Sequence, residues 1–121
     1  MAVIAIVSIA VFFLGMGLYA IAAPAALVRP FGITLTTSTS RSEVRAVYGG
    51  FGVAMAAILT VAAVNTDYRT GITLTAAAAL AGMAFGRIFS AVIERQRIAF
   101  YPNWFYFLVE VAAASLLFLS R

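Results

Sequence analysis

The stretch Ile72-Thr73-Leu74-Thr75-Ala76-Ala77-Ala78-Ala79-Leu80-Ala81-Gly82-Met83-Ala84-Phe85-Gly86-Arg87-Ile88-Phe89-Ser90-Ala91-Val92-Ile93 carries one ionisable side chain, and Glu94-Arg95-Gln96-Arg97 follows it directly. About 20 apolar residues wound as a helix cross a hydrocarbon core ~30 Å thick. The stretch therefore reads as a membrane span with a charged exit. Three similar runs flank it, giving expected spans at about 3–23, 43–64, 72–93 and 104–119. The fold class expected is all-α: one integral membrane four-helix bundle with antiparallel neighbouring helices, since the connections after the second and third runs are short.

Composition agrees. The chain has 121 residues, 64% of them hydrophobic and 10% charged, against about 25% charged in soluble domains. Its mean hydropathy is +1.07. All eight basic residues are arginine, and four acids leave a formal charge of +4. The arginines lie mostly at the ends of apolar runs, so anionic lipid headgroups are the expected partner, and no nucleic acid is expected. With no Cys and no His, thiolate chemistry and the commonest metal ligand and general base are excluded. No cofactor, metal or enzymatic activity is expected. Gly49-Gly50-Phe51-Gly52 lies inside a span, where packing explains it better than phosphate binding.

The first run resembles a leader peptide in its Ala20-Ile21-Ala22 end. No Lys or Arg precedes it, however, and it exceeds a 7–15-residue apolar region, which favours a span. Pro24 and Pro30 then break the helix, and 24–42 reads as an interfacial loop with a short turn around 25–28. Ser40-Arg41-Ser42-Glu43 has capping-box spacing, placing the second helix start near Ser42. Asn65 to Thr70 reads as a polar turn. Four spans put both termini on one side. Arg69 and Arg121 fall on that side, and Arg29, Arg41, Arg95 and Arg97 on the other, with Arg45 just inside. The positive-inside rule then leans toward both termini outside the cytoplasm, with the two larger loops inside.

Arg87 lies six residues before the end of the third run, and Glu110 six after the start of the fourth. At 1.5 Å per residue, each is about 9 Å below the same interface. An ionised group inside a bilayer costs at least ~2.5–3.5 kcal/mol, and a facing opposite charge offsets much of that. An Arg87–Glu110 pair is therefore expected, within a wider charge network that includes Glu43, Arg45 and Glu94. Asn103, Tyr106 and Glu110 share one face of the last helix, and Arg87, Ser90 and Glu94 one face of the third; Tyr48 joins them from the second. Ala78, Gly82, Gly86 and Ser90 recur every four residues, and Gly49, Gly50 and Gly52 crowd the second helix. Such stripes permit close helix approach in lipid, and they are expected to form the seam between helices two and three, with dimerisation as the alternative. Tyr101, Trp104 and Phe105 belong to an aromatic cluster that reads as an interfacial belt or as a contact for a lipid or pigment.

The segment Arg41-Ser42-Glu43-Val44-Arg45-Ala46-Val47-Tyr48-Gly49-Gly50, with Gly86-Arg87 before a polar turn, a Glu in the last helix and Pro24 after the first, resembles the small bacterial membrane proteins catalogued as domain of unknown function 4345. The resemblance runs over nearly the whole chain. It implies a four-helix membrane bundle and supplies no activity. The functions expected are an accessory or structural subunit of a larger membrane complex, assembled with other subunits or with itself, or alternatively a small transporter or a lipid- or pigment-binding bundle. Small four-helix exporters place a proton-coupled carboxylate in the first helix, and this first helix has none.

Overall fold

The computed structural model describes residues 1–121. Four helices are long and apolar enough to cross a membrane: α1 (Ala2–Ala22), α3 (Ser38–Val64), α4 (Thr66–Ile93) and α5 (Phe100–Leu119). A short apolar helix, α2 (Pro24–Val28), lies between the first two. There is no strand. Consecutive long helices run up, down, up and down, so both chain ends lie at one end of the bundle. The tightest pairs are α1 with α3 and α4 with α5; α3–α4 and α1–α5 contacts close the ring.

Only 24 of 121 residues are buried, yet the exposed outer faces carry Ile4, Val11, Leu18, Phe85, Phe89 and Val92. A water-facing bundle would put polar residues there, so the surrounding solvent is lipid. Inside, Ile6, Leu59, Thr73 and Leu117 are completely buried. Each comes from a different helix, and all four lie toward the end that holds the termini. Thr73 satisfies its hydroxyl by donating to the Arg69 carbonyl at 2.8 Å. The largest fully buried side chains therefore lie at the terminal end, and the buried ion pair of Arg87 and Glu110 at the other.

Several boundaries differ from the sequence expectation. The second long helix starts at Ser38 rather than near Ser42, because Thr37 is its N-cap. The Thr37 side chain accepts from the Ser40 backbone N–H at 3.0 Å, and Ser40 reciprocates on the Thr37 N–H. Glu43 lies a turn further on and caps nothing. The third helix starts at Thr66, because Asn65 Oδ1 accepts from the Asp67 N–H at 2.9 Å. Residues read as a polar turn thus form its first turn, where Asp67 meets the positive end of the helix dipole. The last helix enters at Phe100 through an irregular, widened turn over Phe100–Trp104.

The glycine seam is also relocated. Gly49 and Gly52 pack against α1, not against α4. A Cβ on Gly52 would stand 2.9 Å from Gly17 Cα and from the Phe13 carbonyl oxygen, and one on Gly17 would stand 2.8 Å from the Gly49 carbonyl oxygen. Only glycine permits that backbone approach. Gly50 borders its own turn and no neighbouring helix. On α4, a Cβ at Gly82 or Gly86 would meet nothing within 4 Å, and Ala78 is exposed. The small-residue face of α4 looks outward.

Candidate functional site

Helical rise brings Arg87 of α4 and Glu110 of α5 to one level, and the antiparallel pairing turns them toward each other. The contact is a fork. Arg87 Nε donates to Glu110 Oε1 at 2.8 Å, and Nη2 donates to Oε2 at 2.9 Å. The Glu110 side chain is 5% exposed and that of Arg87 21%. Two parallel charge-assisted bonds in a dry setting fix orientation as well as charge. Asn103, one turn before Tyr106 on α5, accepts from Arg87 Nη1 at 3.2 Å. Its own amide nitrogen is buried and pairs with no protein group.

Two aromatic rings complete the setting. The Arg87 guanidinium carbon lies 5.9 Å from the centre of the Tyr106 ring and 6.0 Å from that of Phe31. The two rings stack on each other at 5.7 Å. Phe31 arrives from the turn Arg29–Phe31, which Gly32 ends with a φ of +78°, a left-handed conformation suited to glycine. The connection between α1 and α3 therefore reaches over the charged pair. Sequence reading placed Phe31 only in an interfacial loop; a large aromatic wedged as Pro30-Phe31-Gly32 in an otherwise Thr- and Ser-rich segment was the one available signal.

Beside the pair lies a cavity of about 70 Å³. Phe13 and Met16 of α1, Val28 of α2, Tyr48 of α3, Leu80 of α4 and Val109 of α5 are among its walls. Arg87 and Glu110 form its charged edge; the remaining walls are otherwise apolar. Tyr48 belongs to a widened π-helical turn over Arg45–Gly50, a local irregularity found often at functional sites. Helix α1, which brings no charged side chain, supplies much of the wall.

The described fold has four apolar spans, one intramembrane Arg–Glu fork and no cluster of metal-ligating residues. The family described as Domain of unknown function (DUF4345) matches residues 1–120. The chain belongs to that family. No curated protein and no solved structure matches it.

In this DUF4345 domain the wider charge network does not assemble. The Arg87–Glu110 contact is the sole salt bridge. Arg45 instead donates from Nε to the Ile21 carbonyl at 3.0 Å, tying the start of α3 to the end of α1. Glu43 and Glu94 are exposed at helix ends, where headgroups and water solvate them more cheaply than a buried partner would. Ser90 is half-buried and makes no side-chain hydrogen bond to the pair. Among the aromatics, Tyr101 and Phe105 are half exposed, and Tyr101 packs on Tyr106 at 6.3 Å. Trp104 meets Phe107 edge-on at 5.5 Å and borders the Arg95–Arg97 surface rather than the cavity. Arg69, read from sequence only as a topology marker, caps α3: Nε and Nη2 donate to the Ala62 and Ala63 carbonyls, each at 2.9 Å.

Proposed function

We propose that this DUF4345 domain is a structural or accessory subunit of a larger membrane protein assembly in the bacterial inner membrane, with both termini outside the cytoplasm. The observation that carries the reading is the outward face of α4. Gly82 and Gly86 are one helical turn apart, and neither needs to be small for any contact within the chain. In lipid, stripes of small residues serve close backbone approach by another helix. Ala78 extends the stripe by a further turn. The orientation rests on Arg29, Arg41, Arg45, Arg95 and Arg97, which collect at the end opposite Arg69 and Arg121.

The geometry of the charged pair favours this reading over proton-coupled transport. Both Glu110 carboxylate oxygens are committed to the Arg87 guanidinium, a two-point contact that suits a fixed structural pair better than a mobile proton carrier. The test is purification in mild detergent with the wild type and Gly82→Leu side by side. The reading expects the wild type in a stable assembly larger than the monomer and Gly82→Leu as a folded monomer. A wild type that runs as a lone monomer from native membranes would refute it. A homodimer alone would assign the α4 face to self-association instead.

A further inference from the structure

We infer that the cavity beside Arg87 and Glu110 is a binding site for an uncharged, membrane-dissolved amphiphile whose apolar chain ends in a carbonyl-bearing head. This goes beyond the accessory-subunit reading and does not depend on it.

The polar edge of the cavity defines the head. Arginine has five N–H donors and no acceptor. In Arg87, Nε and one hydrogen on each terminal nitrogen are engaged by Glu110 and Asn103. Two N–H donors remain, on a side chain that lines the cavity. They call for an acceptor oxygen. Glu110 already balances the guanidinium, so a ligand carboxylate would set a second anion beside the first. A ligand ammonium would face Arg87 itself. The head that fits both neighbours is therefore neutral and accepts hydrogen bonds. Phe31 and Tyr106, stacked at the guanidinium, hold its plane so that the free donors keep a fixed direction.

The other walls define the tail. Beyond Arg87 and Glu110 the lining is hydrophobic save for the Tyr hydroxyls. A water requires two to four polar partners, and a site with polar groups at one edge favours a molecule that is polar at one end. At about 10–15 Å³ per water-sized occupant, the 70 Å³ cavity holds about five to seven non-hydrogen atoms. That is a carbonyl and its first neighbours. The rest of the chain extends past Phe12 and Met83, which line the cavity and are 41% and 43% exposed toward lipid.

The probe is 2-undecanone labelled with ¹³C at its carbonyl, titrated into the detergent-solubilised full chain. The site predicts a carbonyl resonance displaced downfield by hydrogen bonding and saturating at one ketone per chain. Undecanoate at equal concentration should not displace it. Ala113→Leu fills the cavity from within, and Met83→Trp obstructs its lipid-facing rim; each should weaken binding about tenfold or more, since methylene-scale changes in apolar pockets have such effects. Met83 is half exposed, so its variant is the one expected to fold without disturbance. A monodisperse wild type that shows only the micelle-dissolved resonance overturns the proposal. So does a saturable resonance that survives in whichever of the two variants folds. Displacement by undecanoate would overturn the assignment of a neutral head.

Discussion

Replacing Arg87 with leucine strands Glu110 in a site where its side chain is 5% exposed. Breaking a buried ion pair by removing one partner costs about 3–5 kcal/mol, so Arg87→Leu should lose about that much stability. Glu110→Leu leaves a guanidinium that cannot neutralise itself. It keeps Asn103, the rings of Phe31 and Tyr106, and 21% exposure, so a smaller loss of about 2–3 kcal/mol is expected. The double variant carries no charge to strand, and replacing a buried pair with apolar groups is often close to neutral. It should therefore lose less than Arg87→Leu alone. The assay is unfolding in mixed micelles on raising the SDS fraction, followed by circular dichroism and by fluorescence of the single tryptophan, Trp104. A double variant whose loss equals the sum of the singles, about 5–8 kcal/mol, would refute the pairing.

Gly52→Ala drives a methyl against backbone atoms of α1 at 2.9 Å and should cost about 1–3 kcal/mol in the same unfolding assay. Gly82→Ala meets nothing and should gain up to about 1 kcal/mol from helix propensity; the reverse order would place the tight seam on α4 after all. Arg69→Met removes two charge-assisted bonds to the end of α3 and should lower stability by about 2–3 kcal/mol, with the greatest loss of amide-exchange protection around Ala62–Val64.

What could be read from the sequence was what depends on local pattern and helical rise. Apolar length located the spans, and the depth of Arg87 and Glu110 followed from 1.5 Å per residue. Features that depend on which helix lies opposite were not legible. Gly49 and Gly82 look alike in sequence, because small residues mark internal seams and outward faces equally; one meets α1 and the other meets nothing within the chain. Arg45 could not be matched to a backbone carbonyl, because carbonyls carry no sequence mark, and the Ile21 oxygen is free only because α1 ends there. The N-cap was missed because two overlapping spacings compete: Thr37 with Ser40, and Ser40 with Glu43. The earlier one prevails, since it adds a turn to the helix and satisfies its first donors. Phe31 escaped for a related reason. Its approach to Arg87 is set by the course of a whole connection, α2 and the turn after it, rather than by any periodicity.

The central claim is that the guanidinium of Arg87 and the carboxylate of Glu110 meet inside the lipid-embedded bundle. Solid-state NMR in bilayers tests it most directly, measuring dipolar dephasing of arginine ¹⁵Nε by glutamate ¹³Cδ. The account predicts one arginine dephased at the range set by the 2.8 Å Nε–Oε1 contact, with the signal lost in Arg87→Lys. Absence of any such dephasing in the folded wild type, or dephasing unchanged by Arg87→Lys, would contradict it.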